Sequence, residues 1–197
     1  MRKILYIGLL SSCFLYSEDI NATQNSWGVE FNPLRLFVYN NTAGEESLSG
    51  TLSYFDKKNS IEIAVPFLYY ADKKYLFEGS NHRENWNLGL HYRKYFSPTL
   101  DGGYIGAFSQ YTYLKGMNYN QQYLAVNKLG FGLELGFKLK NLFNSSFYWG
   151  GSIAIGGYLG KESEDFSSAG YFGLDSFDID NRRKIIDIEL LKIGYEF

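Results

Sequence analysis

Lys128-Leu129-Gly130-Phe131-Gly132-Leu133-Glu134-Leu135-Gly136-Phe137-Lys138-Leu139 is the stretch that decides the fold. Its odd positions are all apolar: Leu129, Phe131, Leu133, Leu135, Phe137 and Leu139. Its even positions hold only glycine and charge. A side-chain period of two is that of an extended strand, with one wholly apolar face and one of small or charged groups. In a soluble barrel or sandwich the apolar face turns inward. In a membrane barrel it turns outward to lipid, and glycine or polar residues fill the lumen. The rest of the chain has to choose between these.

Composition narrows the choice. The 197 residues suffice for one domain, and 18 Tyr, 16 Phe, 3 Trp and 21 Gly stand beside only 3 Pro. Hydrophobic residues make up 45% of the chain, yet mean hydropathy is -0.25. Aromatic and glycine-rich but polar on average, such a chain suits alternating strands. No internal run of about 18 apolar residues is present, which excludes a transmembrane helix. A formal net charge of -2 gives no sign of nucleic acid.

Seven more segments carry strand patterns. Ser47 to Tyr54 sets Leu48, Gly50, Leu52 and Tyr54 against Ser47, Ser49, Thr51 and Ser53. Ile61 to Tyr69 sets Ile61, Ile63, Val65, Phe67 and Tyr69 against Glu62, Ala64, Pro66 and Leu68. Trp86 to Arg93 and Phe147 to Leu159 repeat the scheme, and Trp27 to Val38, Gly103 to Tyr113 and Ile185 to Phe197 complete the set. Gly103 to Tyr113 carries aromatics on both faces. Eight is an even number, as single-chain bacterial barrels require. The connections after strands two, four and six are short (56–59, 97–102, 140–146), and those after three, five and seven are longer (71–84, 115–127, 160–183). Short turns at one end and long loops at the other are the asymmetry expected of outer-membrane barrels. With a periplasmic N-terminus, the long loops fall outside the cell.

Alternation slips twice. Leu34 and Leu36 continue the apolar set of Trp27, Val29 and Phe31 one residue late, with Pro33 at the slip, and Ile186, Ile188 and Leu190 hand over to Leu191, Ile193 and Tyr195. A β-bulge is the expected device at each. At the start of the chain, Arg2 and Lys3 precede a mostly apolar stretch, Ile4 to Tyr16, the pattern of an export signal. A cut after Ser17 divides the chain into a signal peptide, 1–17, and a barrel, 18–197. The rival is Leu10-Ser11-Ser12-Cys13, similar to a lipobox, in which Cys13 becomes lipidated. Cys13 is the one cysteine, so no intrachain disulfide forms.

The last strand ends Leu191-Lys192-Ile193-Gly194-Tyr195-Glu196-Phe197. This resembles the assembly signal of outer-membrane proteins, with Tyr195 and Phe197 as its aromatic positions. The mature chain as a whole resembles the small eight-stranded outer-membrane proteins of the OmpA, OmpX and OmpW types, in architecture rather than through a family motif. The resemblance implies an all-β, eight-stranded, antiparallel up-and-down transmembrane barrel inserted by the barrel-assembly machinery. Outer-membrane lipid and lipopolysaccharide are then its surroundings.

Inward phase selects Glu30, Arg35, Glu62, Arg93, Lys128, Glu134, Lys138, Asp187, Glu189, Lys192 and Glu196. Buried charges of opposite sign should pair, with Arg35, Glu62, Arg93, Glu134, Lys138 and Glu189 as the expected network. Hairpin geometry places Glu62 opposite Arg93. Pairing Trp27 with Phe197 closes the barrel and sets Arg35 across from Glu189. The outward set is Leu52, Ile63, Val65, Leu88, Leu90, Leu133, Leu135, Ile153 and Ile155, with Gly132 a tolerant position on the other face. Aromatics should form two belts, one of Tyr54, Tyr92, Phe137, Trp149, Tyr195 and Phe197, the other of Tyr69, Trp86 and Tyr113.

Signs of catalysis are thin. Of the two histidines, His82 stands in the long loop Ser80-Asn81-His82-Arg83-Glu84, and His91 points into the lumen as a structural residue. Asp178-Ile179-Asp180-Asn181 lacks the glycine and glutamate spacing of a calcium loop. Lys73, Lys74, Arg83, Lys115, Lys161, Arg182, Arg183 and Lys184 gather near the outer strand ends, where cations suit lipopolysaccharide phosphates or serve as ordinary surface charge. The expectation is a non-enzymatic barrel, without cofactor or metal, in an envelope-structural or surface-interaction role with an unknown surface ligand. A narrow small-solute channel and a soluble, exported, lipocalin-like binder are the rivals.

Overall fold

In the computed structural model, which describes residues 25–33, 45–72, 83–117, 123–142, 145–159 and 184–197, the alternating segments all become strands. They are β1 (Ser26–Phe31), β2 (Glu45–Asp56), β3 (Ile61–Asp72), β4 (Arg83–Tyr95), β5 (Gly102–Met117), β6 (Tyr123–Leu142), β7 (Phe147–Leu159) and β8 (Lys184–Glu196). Each pairs antiparallel with its chain neighbours, and β1 pairs with β8, closing an eight-stranded up-and-down barrel. Closure leaves no sheet edge at the seam that β1 and β8 share. That seam has the expected register: Gly28 faces Glu196, Val29 faces Tyr195, and Trp27 and Phe197 exchange backbone hydrogen bonds of 3.0 and 2.8 Å.

The alternation resolves into an apolar outside and a charged inside. Leu52, Ile63, Leu88, Leu90, Leu133, Leu135, Ile153 and Ile155 are exposed on the outer wall, Leu133 by 63%, and Val65 is half-buried among them. Glu30, Glu62, Arg93, Glu134, Lys138, Lys192 and Glu196 are buried inside. On β5, where the pattern was ambiguous, Tyr104, Phe108 and Leu114 turn inward while Ile105 and Tyr111 turn out. Aromatics gather towards both ends of the wall. Tyr69, Trp86 and Tyr113 share one rung across β3, β4 and β5 at the loop end. At the turn end Trp27 meets Tyr54, Phe137 meets Trp149 and Phe147 meets Tyr195, at 5.1, 5.5 and 5.0 Å. Tyr92 stands further from that end, opposite Ile63 and Ala107.

Four expectations need correction. β1 stops at Phe31, with no bulge carrying the strand through Pro33; the expected run on to Val38 falls at 34–38, outside the described residues. A proline gives no ladder donor, so ending the strand before it avoids an unpaired rung. The loop expected at 115–127 is largely strand, since pairing continues to Met117 opposite Tyr123 through a stretch with no proline to interrupt the ladder. β2 begins at Glu45, earlier than its alternation suggested. Finally, Gly132 is no tolerant position: a Cβ there would meet the Ile155 carbonyl oxygen at 2.3 Å and the Phe108 ring at 2.5 Å. An eight-stranded lumen has room only for its own side chains, and this rung is already full.

The slip in β8 is a bulge, as expected. The register passes from Gly150 opposite Lys192 to Ser152 opposite Glu189, so Leu190 and Leu191 together face Gly151. Gly151 suits that place, because a Cβ would stand 2.9 Å from the Glu189 carbonyl oxygen. A second shift, between Leu139 and Leu142 against β7, left no mark in the alternation.

Candidate functional site

The lumen is crossed by one connected charge network. Glu62 and Arg93 are paired partners on β3 and β4, and the same rung continues through Gly106 to Glu134. Gly106 has no side chain to block the way, so Arg93 reaches across it. Its Nη1 donates to Glu62 Oε1 at 2.8 Å, while Nε and Nη2 donate to the two oxygens of Glu134 at 3.1 Å each. The fork of the guanidinium matches a carboxylate in this two-point way. Lys138 Nζ donates to Glu62 Oε2 at 2.7 Å, Ser53 Oγ donates to Oε1 at 2.7 Å, and the Tyr95 hydroxyl donates to Oε2. Glu134 also accepts from the Tyr104 hydroxyl at 3.0 Å and is bonded to His91 Nδ1 at 2.8 Å.

The outer members are held less directly. Lys192 Nζ lies 3.5 Å from Glu134 Oε1 and is ion-paired with Glu189, three residues earlier on β8. Glu30 is buried, with Arg93 at 3.7 Å and Lys192 at 3.9 Å, and its Oε1 has no hydrogen-bond partner. A separate layer at the turn end joins Glu196 to Lys57 and Lys140, each at 2.8 Å, and to Ser26 Oγ at 2.7 Å.

Between these layers lies an aromatic cluster of Phe55, Tyr95, Tyr104 and Tyr148 with Leu100. The Lys138 ammonium sits 4.1 Å from the Phe55 ring centre and 4.3 Å from that of Tyr148, a favourable place for a desolvated cation. Leu100 belongs to the turn after β4, with a positive φ of 58° that is costly for a branched side chain. Its side chain is fully buried in the cluster, and that packing offsets the strain.

Of the six residues expected to form the network, Glu62, Arg93, Glu134 and Lys138 come together directly, and Glu189 joins through Lys192. Arg35 lies outside the described residues, as do His82, Asp178 to Asn181, and Lys73, Lys74, Lys161, Arg182 and Arg183. Tyr195 packs against Phe147, and Phe197 closes the backbone against Trp27. Sequence reasoning missed Ser53, Tyr95, Tyr104 and Leu100. Three of these have inward phase, but hydroxyls and aromatics at strand ends do not announce a partner. Leu100 lay hidden in a turn.

Above the network, towards the loop end, the lumen widens into a cavity of about 70 Å³ bounded by Asn87, His91, Gln110, Tyr158, Asp187 and Glu189 among others. Gln110 Nε2 donates to Thr112 Oγ1 and to the Tyr158 hydroxyl, both at 3.1 Å. The His91 ring stacks on Phe108 at 5.2 Å. Among the described residues no group of three or more His, Cys, Asp or Glu is placed to hold a metal ion. The geometry defines a closed antiparallel barrel with a charge-plugged lumen. Comparison of the chain with protein-family models, characterised proteins and solved structures finds no match.

Proposed function

We propose that this chain is a bacterial outer-membrane β-barrel with a structural or surface-interaction role rather than a catalytic one. The observation that carries this reading is the inverted wall: a closed barrel whose charges are buried and whose Leu, Ile, Phe and Trp side chains are exposed all round. In water that apolar area would far exceed the few hundred Å² that a soluble monomer leaves open. In a bilayer it is the required surface. From Leu129 to Leu139 the outward side chains climb about 25 Å along the axis, at ~3.3 Å per residue and ~40° of tilt, which suits the apolar band of such barrels. The aromatic pairs near both ends sit where headgroups would lie.

In this reading the N-terminus is periplasmic after removal of residues 1–17, and the segments outside the described residues at the loop end face the exterior. The barrel-assembly machinery inserts the chain, and lipid and lipopolysaccharide surround it. Fractionation of cells, with gel migration of unboiled and boiled samples, tests this. The expected result is an outer-membrane protein that migrates differently folded and unfolded. A protein recovered in the soluble periplasmic fraction, with one migration in both samples, overturns the reading and favours a soluble binding barrel.

A further inference from the structure

We propose that the loop-side half of the lumen is a one-sided, water-filled pocket that takes small uncharged polar solutes and ends blind on the layer of Arg93 and Glu134. The two halves of the lumen differ in kind. Towards the turns, Phe55, Tyr95, Leu100, Tyr104 and Tyr148 fill the bore, and Ser53 and Ala64 beside them have no exposure at all. Towards the loops, among the described residues, lies the cavity of about 70 Å³.

The polar groups divide the same way. Asn85 Oδ1, Asn87 Oδ1, Ser49 Oγ and Glu30 Oε1 are buried without a hydrogen-bond partner, and all four belong to the loop-side half or its border. Tyr148 Oη is the other such atom among the described residues, in the aromatic half. Buried polar groups without protein partners are ordinarily met by water, and a water needs about 10–15 Å³ with polar neighbours. The main cavity, about 70 Å³, holds several. A smaller space of about 10 Å³ between Glu30, Ser49, Thr51 and Lys192 holds one, and it shares Pro66, Phe67 and Glu189 with the larger.

The walls also select the occupant. Arg93, Lys184, Asp187 and Glu189 line the cavity, two of each sign, and Arg93 is already held by two carboxylates. Between them stand neutral hydrogen-bonding groups: Asn87, Gln110, His91 and the Tyr158 hydroxyl. No net field favours an ion, whereas a small molecule with donors and acceptors replaces the waters bond for bond.

Thiol accessibility tests the pocket, independently of any membrane, on the folded full-length chain in detergent with Cys13 replaced by Ser. Gln110→Cys and Asn87→Cys should react with hydroxyethyl methanethiosulfonate at a rate comparable to the unfolded chain. Ser53→Cys and Ser26→Cys should be slower by about a thousandfold or more, because reaction there waits on opening of the core. Normalised to the unfolded chain, the aminoethyl and sulfonatoethyl reagents should both lag the neutral one at Gln110→Cys. Unboiled gel migration confirms that each variant is folded, and paired positions keep the comparison if one fails. An unreactive cysteine at both upper positions makes the half dry. A reactive cysteine at the lower ones makes the bore continuous, and a faster charged reagent makes the site ionic; each of these overturns the proposal.

Discussion

Arg93 ties the lumen network together, because its guanidinium bonds Glu62 and Glu134 at once. Replacing it with Met would keep much of the volume but take from Glu62 and Glu134 the cation that bridges them, leaving Lys138 on one and Lys192 on the other. Removing one partner from a buried ion pair costs about 3–5 kcal/mol, and denaturant unfolding followed by tryptophan fluorescence should read that loss. A loss below 1 kcal/mol would mean that water reaches the network freely. Leu100 makes a different test. Leu100→Ala removes the plug of the aromatic cluster without touching a charge, and should cost about 2–5 kcal/mol as other buried leucines do. An unchanged midpoint would show that the turn does not seal the bore. The Glu62–Arg93 pair was legible from the sequence because a hairpin is symmetric about its loop and both residues share inward phase. The hydroxyls that complete it were not, since Ser53, Tyr95 and Tyr104 look like any other strand residues until three strands are curved into one bore.

At the scale of the strand, the span of β6 from Lys128 to Leu139 was readable because its two faces differ so sharply, while its start at Tyr123 and the end of β1 were not. A proline after a short alternating run is compatible with a bulge or an end, and local pattern does not tell them apart. The bulge in β8 was legible for a physical reason: an extra residue reverses the phase of everything after it. The shift near Leu139 fell at a strand end, where no alternation follows to expose it. The outward face of β6 gives the decisive substitution. Leu133→Arg should cost about 2–4 kcal/mol when the barrel is folded into lipid, because the site is at mid-belt depth. Gln110→Ser, inward and beside the cavity, is the fitting control and should cost much less. Gly132 would be a poor control, since any side chain there strikes backbone. Folding measured in lipid vesicles checks both. A harmless Arg at 133 with a damaging Ser at 110 would place the apolar face in water and sink the membrane reading.

For the whole molecule, the question is whether a path crosses the barrel. Three layers lie in series from the turn end: Glu196 with Lys57 and Lys140, the aromatic cluster around Leu100, and the network of Arg93. The first and third bring opposite charges within hydrogen-bond distance, and the second is packed side chain to side chain. An ion passing through would have to part paired charges in a low-dielectric bore and then displace packed rings. Parting even one such pair costs several kcal/mol, and the two charged layers must open together for a continuous water path. Purified folded protein in planar bilayers should therefore show negligible conductance across the physiological voltage range. Water in the loop-side half does not alter this, because the barrier is the layers beneath it. A steady, resolvable single-channel current would mean that the three layers open together at equilibrium, and the small-solute channel would then replace the closed barrel as the better account.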